Sequence, residues 1–149
     1  MATSDLGSAT ATSGAFIDTN VILRFFVRDN ERMYNECKAF FGRIEKGEIR
    51  AYTSAIVLLE LAYVLLRTYR YSRAEAATVL SRIFSLRNLA LVERTNARSA
   101  LELWKQHGIK YGDCLIASQI PKNSVLVTYD AEFKKIEGLR AMTPDQFVT

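Results

Sequence analysis

The stretch Ala15-Phe16-Ile17-Asp18-Thr19-Asn20-Val21-Ile22-Leu23 sets the terms for the rest of the chain. Three apolar residues form a short strand, the strand stops on an aspartate, and a second apolar run follows. Near the other end, Val125-Leu126-Val127-Thr128 runs into Tyr129-Asp130 in a similar way. In an open α/β sheet the carboxyl ends of the strands are where ligands bind. If these two strands are neighbours, their carboxylates repel each other unless something positive lies between them.

Between these landmarks, helices and strands alternate. Asp29 or Asn30 caps a helix with Met33, Cys37, Phe40, Phe41 and Ile44 on one face, closed by Gly47. A strand over 49–53 follows, and Ser54 caps a helix from 55 to about 69. Ser72-Arg73-Ala74-Glu75 is a capping box opening a further helix with Ala76, Leu80, Ile83 and Phe84 as its apolar stripe. A third strand covers 89–92. Thr95 begins a helix carrying Ala97, Leu101 and Trp104 and stopped at Gly108. Asp113 starts a short helix over 114–120, ended by Pro121. A fourth strand at 124–128, a short helix from Ala131 and an extended stretch at 140–142 complete the chain. This alternation predicts right-handed crossovers and a three-layer α/β sandwich: a mostly parallel sheet of about five strands flanked by helices. One domain covers 15–149. The small, polar residues 1–14 read as a disordered tail or a cloning remnant.

Two further acids stand out. Glu60 is the only charged residue between Ala55 and Leu66. A helix apolar on nearly every face reads as buried, and a buried carboxylate needs a metal, a proton or a cation such as Arg67 or Arg24. Asp113 is either an N-cap or a site residue.

The 149 residues suffice to bury a core without disulfides. Cys37 and Cys114 are far apart, form no CxxC pair, and read as reduced thiols. No stretch serves as a signal peptide or spans a membrane, so the expected location is cytoplasmic. Lys and Arg number 20 against 16 Asp and Glu, and setting aside Asp18, Glu60, Asp113 and Asp130 leaves a balance of +8. An acidic spot in a basic surround suits a metal-dependent enzyme acting on a polyanion.

Taken together, the four acids and their settings resemble the PIN domain family of metal-dependent nucleases. Ala15 to Leu23 is similar to the family's opening motif, and Asp113-Cys114-Leu115-Ile116-Ala117-Ser118 and Leu126-Val127-Thr128-Tyr129-Asp130-Ala131-Glu132-Phe133 to its two later ones. The likeness runs from Ala15 to the C-terminus and points to the toxin ribonucleases of toxin–antitoxin pairs. It implies that Asp18, Glu60, Asp113 and Asp130 are catalytic and hold one or two Mg²⁺ or Mn²⁺ ions. Thr19 or Asn20 matches the polar residue beside the first acid, and Thr128 and Glu132 are possible supporting groups. Cys114 stands where alanine is more usual, and Glu132 where aspartate is frequent. The resemblance further implies an RNA substrate, a cognate antitoxin and a homodimer, with the helices at 54–69 and 72–85 as contact surfaces. A PIN nuclease of RNA processing or decay without an antitoxin, and a PIN-like module that binds RNA or protein without cutting, are the alternatives.

The chemistry is consistent with this resemblance. Mg²⁺ and Mn²⁺ take oxygen ligands, and such ions polarise a phosphodiester and lower the pKa of a bound water. No histidine is required, so His107, the only one, is either a general base or a capping or surface residue. A phosphatase of the haloacid-dehalogenase type needs a second acid two residues after the first, where this chain has Asn20. A receiver domain needs an aspartate at the end of the third strand, where Glu93-Arg94-Thr95 stands. Neither glycine-rich nucleotide-binding pattern is complete, since Glu48 occupies the lysine position after Gly42 and Gly47.

Overall fold

The computed structural model describes residues 14–149. Of the tail assigned to residues 1–14, residues 1–13 lie outside them, while Gly14 is the first residue of a strand. Five strands, β1 (Gly14–Ile17), β2 (Arg50–Ser54), β3 (Leu89–Val92), β4 (Ser124–Val127) and β5 (Ala141–Met142), form one sheet. Its order is β3-β2-β1-β4-β5, and every pairing is parallel. The apolar runs of the sequence predict this arrangement: β1 and Val125 to Val127 of β4 are buried throughout, as strands covered on both faces must be. Gly14 belongs there because a Cβ would lie 2.6 Å from Ser124 Oγ and from Tyr52 Cε2 on the neighbouring strands.

Seven α-helices flank the sheet among the described residues: α1 (Thr19–Phe26), α2 (Glu31–Glu45), α3 (Ala55–Arg67), α4 (Arg73–Phe84), α5 (Ala97–His107), α6 (Tyr111–Gln119) and α7 (Pro144–Val148). Asn30, Ser54 and Ser72 are the caps the sequence predicts, and the Ser72–Glu75 capping box is formed in both directions. Cys37, Phe40, Phe41 and Ile44 of α2 are buried as expected. Helices α1 and α7 are additions to the sequence reading. Asp18 ends β1 and also caps α1, so one residue carries both signals.

Three expectations are corrected. Helix α3 is not buried on every side: Leu59 is 72% and Tyr63 63% exposed, and they line an outward stripe with Leu66 opposite the buried Val57, Leu61 and Leu65. Helix α5 turns Leu101 and Trp104 outward and buries only Ala100, with Leu103 partly buried against the core, because it packs chiefly on α6. Helix α6 begins at Tyr111 rather than after Asp113.

From β1 the chain builds outward to β2 and β3, then returns to β4 and β5 on the other side. The connections therefore diverge between β1 and β4, and in such sheets the crevice at that switch point, outside the carboxyl ends of the strands, takes the ligand.

Candidate active site

Asp18 stands at that switch point. It follows the last residue of β1, and its backbone N–H extends the ladder by donating to Val127 O at 3.0 Å. Its side chain is 3% exposed and accepts three hydrogen bonds: from Thr19 N–H at 2.8 Å, Asn20 Nδ2 at 3.3 Å and Thr128 Oγ1 at 2.7 Å. Burial pushes its pKa up from 3.8 to about 6. The Thr128 and Thr19 bonds oppose the rise, and the charges of Glu60 and Asp130 add to it.

Thr128, just beyond β4, is the junction of this network. Its hydroxyl donates to Asp18 and accepts from Asn20 Nδ2 at 3.3 Å and from Asp130 N–H at 2.9 Å. Asn20 completes the tie between the two strand ends, since its Oδ1 accepts from Tyr129 N–H at 2.9 Å. Thr19 points the other way, with Oγ1 3.5 Å from Val57 O, and so joins the start of α1 to α3.

Asp113 lies in the first turn of α6, 7% exposed. It is not the N-cap: Lys110 occupies that position without a side-chain cap bond. Its pKa is raised from 3.8 to about 7, first by burial and then by repulsion from Asp18, Glu60 and Asp130, with Lys110 alone pulling it down. Glu60 is half-buried in α3. Among the described residues neither candidate arginine pairs with it: Arg24 binds Asp29 at 2.8 Å, and Arg67 lies over the Tyr63 ring. Asp130 caps the short 3₁₀ turn Ala131–Lys135, accepting from Glu132 N–H at 2.9 Å.

The four acids therefore share one electrostatic neighbourhood, and Asp18 and Asp113 are its buried members. Among the described residues, however, no three His, Cys, Asp or Glu side chains are gathered into a ready-made ligand cage. Glu132 is exposed and paired with Lys135 at 2.6 Å, turned toward that lysine. His107 lies in the last turn of α5, before Gly108 in the left-handed conformation. A hollow of about 990 Å³ between Leu91–Arg98 and Ser118–Lys122 is lined by none of these four acids.

Tyr129 is a support that motif reading does not single out. Its hydroxyl donates to Glu36 Oε1 at 2.9 Å and lies 3.6 Å from the buried Cys37 Sγ, which pins the segment before Asp130 onto α2. The available signal is Glu36 itself, a carboxylate beside the apolar face of α2.

This arrangement and the sequence agree on the family. Residues 15–139 match the PIN domain pattern, and the chain belongs to that family. It is similar to a VapC ribonuclease of Aquifex aeolicus (strain VF5), 25% identical over 130 residues that span 86% of this chain and 95% of the relative. Among solved structures it resembles VapBC2 from Rickettsia felis bound to a DNA fragment from their promoter. The TM-score there is 0.63 at 24% identity, over 87% of this chain and 97% of that one. PAE2754 from Pyrobaculum aerophilum gives 0.62 at 19% identity, over 93% and 88%. These two likenesses concern the fold.

Proposed function

We propose that this chain is a Mg²⁺- or Mn²⁺-dependent endoribonuclease and the toxin of a VapBC-type pair, acting in the cytoplasm. The observation that carries this reading is the buried pair of Asp18, at the switch point, and Asp113, whose carboxyl is pushed up by the charge of Asp18 and pulled down by that of Lys110. Ionised at neutral pH, such a pair calls for a cation, and an all-oxygen donor set suits Mg²⁺ or Mn²⁺ rather than a softer metal.

Asp18, Asp113, Glu60 and Asp130 are the residues that would hold one or two ions. Bound there, a divalent ion supplies Lewis acidity toward a phosphodiester and lowers the pKa of a bound water. Thr128, Asn20 and the Thr19 N–H fix the Asp18 carboxylate, so it meets a ligand with little reorganisation. Thr128 also ties the Asp130 backbone to the same junction. Lys110 adds positive charge at the rim, where a phosphate arrives. Glu132 contributes only if it leaves Lys135.

The outward stripe Leu59, Tyr63 and Leu66, with exposed Phe84 on the adjoining α4, supports the antitoxin and the homodimer, because apolar patches of this kind mark protein interfaces. Among the described residues no helix is long and apolar enough to cross a membrane. The similarity to the Aquifex VapC ribonuclease supports RNA as the substrate.

Asp18→Asn tests the mechanism. It keeps the shape of the side chain and removes the charge. Metal-dependent RNA cleavage should fall about a hundredfold or more, as several kcal/mol of transition-state stabilisation disappear, with the fold retained. Full activity in the folded variant would refute the mechanism.

A further inference from the structure

Two exposed aromatic rings meet at the junction of α5 and α6. Trp104, in the last turn of α5, is 49% exposed, and Tyr111, the first residue of α6, is 39% exposed. The turn at 108–110 joins them, and Asp113 follows Tyr111 by two residues in the first turn of α6. Their centroids are 5.2 Å apart with planes inclined by 61°. In a parallel stack each ring covers a face of its mate; an inclined pair leaves ring face open. Lys110, the N-cap residue just before Tyr111, is felt by Asp113 as a positive charge and forms no ion pair among the described residues, whereas Lys105 is held by Glu102.

We propose that Trp104 and Tyr111 form a stacking platform for unpaired bases of an RNA chain, with Lys110 on the adjoining phosphate. The proposal rests on the ribonuclease reading and adds to it a base-binding subsite outside the acid centre. Open aromatic faces beside a cation are how proteins hold unpaired bases with little sequence preference, because every base has a π-face. Bases within a duplex are covered by their neighbours and cannot use such a platform. A bare metal centre with a basic rim would bind phosphate without this distinction.

Trp104 is the only tryptophan, so its fluorescence reports the platform directly. The full chain, kept metal-free with EDTA, is titrated with an oligo-adenosine RNA of about twelve nucleotides, within the span such sites cover. Saturable quenching is expected, with affinity about five- to a hundredfold weaker for Tyr111→Ala and quenching much weaker for the same RNA in a duplex. Fluorescence anisotropy of labelled RNA should show Trp104→Phe binding within a few-fold of wild type and Trp104→Ala well below it, circular dichroism confirming that each variant is folded. Absence of quenching, equal quenching by inorganic polyphosphate, or a fluorescence change that follows protein concentration without RNA would each overturn the proposal. The last of these would assign the pair to an interface between copies of the chain. Metal-dependent cleavage of the same RNA is measured alongside. Cleavage without quenching removes the platform and leaves the nuclease, whereas quenching without cleavage supports the platform and removes the nuclease.

Discussion

Replacing Asp113 by Asn should stabilise the metal-free protein at neutral and alkaline pH and abolish most of its stabilisation by metal. Asp113 is nearly fully buried and is surrounded by the charges of Asp18, Glu60 and Asp130. Raising its pKa from 3.8 to about 7 corresponds to about 4 kcal/mol against the ionised form. The sign follows from linkage. The folded state binds this proton more tightly than the unfolded chain does, so the contribution to stability is full below about pH 4 and is lost as pH rises through about 7. Part of the shift at Asp113 comes from the charges of Asp18, Glu60 and Asp130, and the buried amide brings its own desolvation cost, so the net gain at about pH 8 should be roughly 1–3 kcal/mol. At about pH 4 the wild-type carboxyl is itself mostly neutral, and the gain should nearly vanish. The informative quantity is this difference between the two pH values, because the amide's packing and hydrogen bonding are common to both. Urea unfolding of both proteins in EDTA measures it. Millimolar Mg²⁺ or Mn²⁺ should then raise the wild-type midpoint by mass action, by about 2.7 kcal/mol at a hundredfold excess over Kd, and raise that of the variant far less. A variant equally destabilised at both pH values would refute the electrostatic reasoning. An equal response to metal would remove Asp113 from the ion site.

Thr128→Val removes the hydroxyl that donates to Asp18 and accepts from Asn20 and Asp130. Unfolding should show a loss of about 1–3 kcal/mol, and the acidic limb of the cleavage profile should move to higher pH, because a bond favouring ionised Asp18 is gone. Ser72→Ala should cost about 1 kcal/mol in thermal unfolding by removing half of the α4 capping box, with cleavage per folded molecule unchanged. Leu59→Asp combined with Tyr63→Asp should abolish self-association in sedimentation and weaken antitoxin capture, while circular dichroism remains that of the folded chain, because both side chains already face solvent.

The parts of the fold legible in the sequence are those where local chemistry has a single reading. Apolar runs at 15–17 and 125–127 are strands because nothing polar interrupts them, and Ser72 with Glu75 marks a helix start because the two side chains answer each other's backbone N–H. Periodicity shows where apolar residues line up but not what they meet. Leu101 and Trp104 repeat at helical spacing, yet they face outward, and the all-apolar look of α3 conceals a two-sided helix. Glu60 is consequently only half-buried, and burial alone does not force a partner on it. Tyr111-Gly112 hides the true start of α6, so Asp113 looks like a cap when it is a first-turn residue. The proximity of Asp18 and Asp130 needed strand order, which no local pattern carries. The junction at Thr128 joins residues 110 positions apart and follows from β1 pairing with β4.

That distance along the chain has a consequence for synthesis. Strand β1 is the central strand of the sheet, and β4, one of its two neighbours, is translated only after β2 and β3. At about 5–20 residues per second, the ribosome needs about 5–20 s after Asp18 to reach Thr128. Throughout that interval β1 has an open edge, and the acid centre lacks Asp113, Thr128 and Asp130 for most of it. Until β4 pairs with it, the hazard the nascent chain presents is an unpaired apolar strand in search of a partner.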